Sequence, residues 1–223
     1  MAREVLAEPV QGFRRREGPA DYLYAIVEGL PRRWRPPPTG VGPAPVVARA
    51  VRDLVVIASA VDVIPRHTPR TAALHDGVVS TTLGAEAVLP FEFGTVVPAF
   101  EVDAWLTAHL GIFRAHLSRL RRQLEMTVRL VSLTPNPGAR ASLQATAERL
   151  VECAGVAEWR YRDDRSGLSS SVAFLVPRDG IGDFLARVAP VAARAGAIAV
   201  VPTGPWAPAS FSPRLQGSLA RAG

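Results

Sequence analysis

Apolar and polar positions alternate along this chain in two different periods, and the changes of period divide it into elements. Tyr22-Leu23-Tyr24-Ala25-Ile26-Val27 is aromatic and β-branched and bounded by Gly29 and Pro31, which predicts a buried strand. After a proline-rich loop from Pro31 to Pro45, Val46 to Val51 and Leu54 to Ala60 flank Arg52-Asp53 as a hairpin. Thr71 to Leu83 reads as a short helix that Gly84 stops. Val88-Leu89-Pro90 and Phe91 to Val97 read as extended chain kinked at Pro90. Leu106, Leu110, Phe113, Leu117, Leu120 and Leu124 then recur at steps of four and three, so the spacing predicts one long helix from Val102 to about Glu125. Glu101 and Asp103 at its start and Arg119, Arg121 and Arg122 toward its end complement the helix dipole.

From Met126 the order becomes strand, helix, strand, strand, helix, strand. Met126, Val128 and Leu130 alternate with polar residues until Pro135-Asn136-Pro137-Gly138 breaks the run. Leu143, Ala147, Leu150, Val151 and Ala154 mark a helical face ending at Gly155. Ala157, Trp159 and Tyr161 alternate with Glu158, Arg160 and Arg162 as a strand with one buried and one wet face. Val172 to Val176 is apolar enough for a central strand. Asp179 is placed to cap a helix that buries Ile181, Phe184, Leu185, Val188 and Val191, and Ala197 to Val201 supplies the last strand.

The expected fold class is therefore α+β, with two small α/β-sandwich units, the C-terminal one ferredoxin-like (βαββαβ). The expected organisation is a flexible leader over 1–20, an N-terminal α+β domain over 21–125 ending in the long helix, a ferredoxin-like domain over 126–212 and a tail over 213–223.

Composition adds bounds. A chain of 223 residues buries roughly 70% of its unfolded surface, enough for a real core. With 48% hydrophobic and 21% charged residues it is ordinary globular material, and no apolar run approaches the roughly 20 residues of a membrane helix. Without a signal-like apolar region near Met1, the expected location is cytoplasmic. The net charge of +6 comes wholly from arginine, because the chain has no lysine, and a solvated surface accounts for it. A single cysteine, Cys153, makes no internal disulfide and falls on an apolar helical side, where a thiol serves as a small hydrophobe.

A search for chemistry finds little. His67, His75, His109 and His116 lack the spacing of a metal pair, and His109 and His116 are two turns apart, about 10 Å by helical rise. Gly180-Ile181-Gly182 lacks the third small residue of a dinucleotide turn, since Leu185 stands there. Ser169-Ser170-Ser171 has no nucleophile elbow around it. The expectation is no enzyme, no cofactor and no metal. A nucleic-acid module would need stacking aromatics on the exposed sheet face, and the central strand offers only Phe174 within an apolar run.

Specific words do stand out: Tyr22-Leu23-Tyr24-Ala25-Ile26-Val27, Val88 to Val96, Ala173-Phe174-Leu175-Val176, and Thr203-Gly204-Pro205-Trp206-Ala207-Pro208-Ala209-Ser210-Phe211, in that order. With them the chain resembles the gas vesicle accessory proteins of the F/L type, from about Asp21 to Ser212. Leu89, Pro90, Phe93, Gly94 and Thr95 carry the strongest word; Gly204, Pro205, Trp206 and Phe211 support it, and His75-Asp76 resembles a His-Glu pair of the family. Two positions depart: Glu92 stands where the family usually has arginine, and Ala209 where it tends to have tyrosine. The resemblance implies a non-enzymatic accessory protein of gas vesicle assembly that binds the hydrophobic shell subunit and other accessory proteins. Trp206 and Phe211 are candidate anchors, Arg121 and Arg122 a candidate basic contact; the other reading of the aromatics is that they close the gap between the two units. The alternative function is a ferredoxin-like small-ligand-binding or catalytic domain, which calls for a cavity lined by His67, His75 or Asp62.

Overall fold

The computed structural model describes residues 19–134 and 137–213; most of the expected leader, the tail beyond Pro213, and Pro135 and Asn136 lie outside them. The elements run β1 (Ala20–Glu28), β2 (Val47–Val51), β3 (Leu54–Val61), α1 (Pro69–Ser80), β4 (Ala87–Pro90), β5 (Val96–Pro98), α2 (Val102–Ala108), α3 (Leu110–Leu120), β6 (Gln123–Ser132), α4 (Ala139–Ala154), β7 (Trp159–Asp163), β8 (Ser169–Pro177), α5 (Ile181–Ala193) and β9 (Ile198–Trp206).

Two antiparallel sheets organise them. The first has the order β2-β3-β1-β4, with β5 also paired to β1. Its centre is β1, which is buried on both faces, so the run from Tyr22 to Val27 carries no polar alternation. The register to β3 slips between Leu23 and Ala25. That bulge sets Tyr24 and Ala25 on the same side, with Tyr22 and Val27, while Leu23 and Ile26 face the other. The β2-β3 hairpin matches the expectation, and Arg52 in its turn takes φ 59°.

The second sheet has the order β7-β8-β6-β9 with every pairing antiparallel, which is the ferredoxin-like arrangement. Met126, Val128, Leu130, Val172 and Phe174 face α4 and α5, where Leu143, Leu150, Phe184 and Val188 complete a core. The fold is thus α+β with two α/β units, as the pattern of periods implies.

The units are cemented by a shared apolar cluster. Leu23, Ile26, Val56 and Leu89 of the first sheet meet Leu106, Phe113, Leu117 and Leu120 of α2 and α3, and Ala173, Leu175 and Phe211 join them from the second unit. The other face of the first sheet carries α1, with Val78 and Val79 against Tyr22, Tyr24 and Ile57.

Several local expectations are corrected. The long helix is two: it breaks at His109, whose backbone leaves the helical region and whose ring Nδ1 lies 2.8 Å from the Trp105 carbonyl, competing with the backbone ladder. The apolar stripe survives because α2 and α3 both face the shared cluster. It ends at Leu120 rather than near Glu125, since Arg121 turns extended and Arg122 takes φ 55°. Leu124 and Glu125 belong to β6, where pairing with Val176 and Leu175 outweighs their helical spacing.

Gly84 is not the stop of α1, which ends at Ser80 with Thr81 as its C-terminal cap. Asp179 does not cap α5; Gly180 precedes that helix, and Leu185 is exposed. β7 lies at the sheet edge, so Trp159, expected to be buried, is exposed and Tyr161 half-buried. β9 runs beyond Val201 to Trp206 in spite of Pro202 and Pro205, because an edge strand has one side whose N–H groups need no partner. Cys153, expected to be buried, is half-buried, and partial burial raises its thiol pKa.

Candidate partner-binding site

The word Leu89 to Thr95 folds as the end of β4 followed by a tight turn that returns into β5. Leu89 is buried in the shared cluster, and Pro90 pairs with Ala25 at the end of the strand. Gly94 takes φ 84°, a left-handed conformation that favours glycine, and no atom crowds the position of its missing Cβ. Thr95 closes the turn with both its backbone N–H and its hydroxyl on the Glu92 carbonyl, at 3.2 and 2.7 Å.

The turn is held from beneath by a buried polar chain. The Gly94 N–H donates to Tyr22 Oη at 3.1 Å, and Tyr22 Oη lies 2.9 Å from His75 Nδ1 on α1. His75 also engages the Phe91 backbone. With the Tyr22 oxygen accepting from Gly94 and its O–H donating to Nδ1, both groups are satisfied and the imidazole is neutral. Burial pushes the pKa of His75 below its ordinary value and that of the Tyr22 phenol above its own. The rings of Tyr22, Tyr24, His75 and Phe93 pack around this chain, and His67 lies edge-on to Phe93 at 4.8 Å. Tyr24 Oη, in turn, bonds Ser59 Oγ and accepts from the Val41 N–H.

The C-terminal word leaves β9 and crosses back over the first unit. Gly204 takes φ 121°, and a Cβ there would sit 2.9 Å from the Glu125 carbonyl oxygen and 3.0 Å from Met126 Sδ. Trp206 is 48% exposed, with Pro205 exposed before it. Ala207 is buried in the cluster that holds Tyr22 and Val96. Phe211 is 3% exposed and fills the shared core, with the Arg160 guanidinium 5.2 Å from its ring centre and its carbonyl accepting from Arg119. The buried Glu125 carboxylate fastens this segment, taking the Ser210 N–H at 2.8 Å and the Ser210 hydroxyl at 2.9 Å.

The motif turn and the C-terminal segment are therefore brought together across the first sheet, through Ala207. Of the two candidate anchors, Phe211 is interior and Trp206 is presented at the surface. Arg121 and Arg122 lie in the connection between α3 and β6. Arg121 pairs with Glu28, and the Arg122 backbone N–H donates to the Glu86 carbonyl while its own carbonyl accepts from Arg178. The Arg178 guanidinium then reaches the Leu83 and Ala85 carbonyls at 2.6 and 2.7 Å, so this connection is a clasp between the units.

Three contributors escaped sequence reasoning. Glu125 carried a signal: Leu124, Met126 and Val128 alternate in period two around it, which extends the strand back past Met126. Arg178 and Ser210 carried none, because their roles are contacts to residues about 90 positions away. Among the described residues no three His, Cys, Asp or Glu side chains gather as a metal site, and no helix is long and apolar enough to cross a membrane.

The sequence matches the family described as gas vesicle synthesis protein GvpL/GvpF over residues 20–151 and 138–213. Among solved structures, the gas vesicle protein GvpF from Anabaena sp. PCC7120 is similar with a TM-score of 0.74 at 16% identity, over 90% of this chain and 99% of that one. GvpF from Microcystis aeruginosa is similar with a TM-score of 0.69 at 17% identity, over 86% of this chain and 98% of that one. At such identity the likeness is one of fold. No curated protein sequence matches the chain.

Proposed function

The chain belongs to the gas vesicle synthesis GvpL/GvpF family, and from that premise we propose that it serves gas vesicle formation as a non-enzymatic accessory protein binding the hydrophobic shell subunit and other accessory proteins. The observation that carries this reading is the family match itself, which spans both units and includes both signature words. The geometry agrees in kind. The signature turn is fastened from within by Tyr22 and His75, and the C-terminal word by Glu125, so both are built as rigid frame. What the frame presents outward is Trp206, an aromatic of the sort that anchors protein interfaces.

The alternative of a ligand-binding or catalytic domain draws no support from His75. Its ring is buried and its Nδ1 is bonded to Tyr22.

Co-expression with the shell subunit from the same source, followed by affinity purification on either partner's tag, tests the reading. Shell subunit retained by the native chain and lost with Trp206→Ala is the expected result; Trp206 is exposed enough for that change to leave the fold in place. Failure of the two to co-purify with either tag would remove shell binding from the role while leaving family membership untouched.

A further inference from the structure

One face of the second sheet carries no helix, and the first unit covers only one end of it. Since Met126, Val128 and Leu130 of β6 point to α4 and α5, Thr127, Arg129 and Val131 point the opposite way. Strand register aligns Arg162, Ser171, Arg129 and Val201 in one row across β7, β8, β6 and β9. The next row is Arg160, Ala173, Thr127 and Thr203. Ala173 and the neighbouring Leu175 are taken by the shared core. Beyond them the face opens: Arg129, Arg162 and Val201 are exposed and Ser171 is half-buried.

The electrostatics of this face are one-sided. The carboxylates around it are already engaged: Glu125 with Ser210, Glu158 with Arg119, Asp163 with Arg140, and Asp164 with Ser166 and Ser169. None of the ion pairs among the described residues involves Arg129, Arg160 or Arg162. Two exposed guanidiniums therefore face solvent across one intervening strand, with a hydroxyl between them and an apolar side chain at the β9 end. Guanidiniums suit carboxylates because the planar fork pairs with both oxygens. A nucleic acid is the poorer fit: neither row holds an aromatic ring, and the exposed Trp206 beside them at the β9 end, its indole N–H 3.4 Å from Thr203 Oγ1, is a single ring where a base-reading sheet carries several.

We propose that this open face docks an acidic segment of a partner protein, two carboxylates about 10 Å apart meeting Arg129 and Arg162 across two strand spacings, and an apolar side chain lying on Val201. The inference goes beyond the assembly reading. It concerns an acidic partner rather than the hydrophobic shell subunit, and it stands or falls without shell binding.

The test uses the full chain and three dye-labelled probes followed by fluorescence anisotropy: a Glu-rich helical peptide with leucines along one side, the same peptide with Gln for every Glu, and a single-stranded oligonucleotide. The Glu peptide is expected to bind, more weakly as salt rises. It is expected to lose at least about tenfold in affinity to the Arg129→Gln/Arg162→Gln double variant, and to bind a control Arg32→Gln/Arg33→Gln variant as it binds the native chain. The Gln peptide is expected not to bind. Circular dichroism of the variants, whose substituted side chains are all surface groups or loop residues, checks that the fold is kept. No binding of the Glu peptide, equal binding by the double variant, or equal binding of the Gln peptide would overturn the proposal. So would an oligonucleotide that binds more tightly and through the same two arginines.

Discussion

At the scale of single residues, the central feature is a buried histidine bonded to a tyrosine hydroxyl. His75 accepts from Tyr22 in its neutral form, and Asp76 is the charged neighbour that favours its protonation, a smaller effect than the burial that opposes it. Protonation would turn Nδ1 into a donor facing an oxygen that already accepts from Gly94, and the Tyr22 proton would then have no acceptor. Because the folded-state pKa is depressed, the unfolded chain takes up this proton first as the pH falls. Stability is complete above the ordinary value of about 6.5 and declines below it until the depressed folded value is passed. Urea titrations between about pH 7.5 and 5.5 should therefore show a midpoint that falls with pH, and His75→Gln should flatten that dependence. His116, also held low by burial and by Arg119, adds a slope of the same sign, so the variant rather than the raw slope isolates His75. An unchanged slope in His75→Gln would contradict the assignment.

At the scale of elements, two signature glycines are required for different reasons. Gly94 needs only its left-handed backbone, so Gly94→Ala should cost about 1–2 kcal/mol, the strain of that conformation. Gly204 has the positive φ and also a Cβ position pressed against the Glu125 carbonyl and Met126 Sδ. Gly204→Ala should therefore be the more damaging, moving β9 away from β6 or displacing Met126. Equilibrium denaturation of both variants checks the order, and a Gly204→Ala protein as stable as Gly94→Ala would show that β9 yields freely at its end. The same contrast explains what was legible in each word. A glycine in a turn is readable from its neighbours, whereas a glycine needed because another strand passes close is readable only once the strands are paired. The break at His109 and the early start of β6 are failures of the same kind. The leucine spacing from Leu106 to Leu124 is helical throughout, but Leu124 is claimed by β8 and the helix yields to the sheet.

At the scale of the whole molecule, the two units are not independent beads. Phe211 occupies a core supplied by both sheets and by α2 and α3, and Arg178 grips the loop before β4. Removing a buried phenylalanine ring of this kind costs about 3–5 kcal/mol. Phe211→Ala should lower the unfolding free energy taken from a urea titration by that amount. In the native chain, far-ultraviolet circular dichroism and tryptophan fluorescence should report one coincident transition, as a cooperative unit does. Two separated transitions in the native protein would mean that the shared cluster does not couple the sheets. The placement of Phe211 also divides the labour of the C-terminal word: the phenylalanine closes the joint between units, and Trp206 is left to the surface.

Whatever depends on near neighbours was legible in the chain: the periods that make strands and helices, the βαββαβ order of the second half, the hairpin of β2 and β3, and the words that mark the family. These follow from local backbone preference and from which side of an element is apolar, and both can be read within a few residues. The rest came only from the three-dimensional arrangement. It set Tyr22 over His75, Glu125 under Ser210, Arg178 across to the loop before β4, and Arg129 in one row with Arg162 on an open face, one strand between them. Each of these joins residues far apart in sequence whose meeting is fixed by strand order and register, and a polar side chain reveals its partner only when the backbone has brought the two within hydrogen-bonding distance.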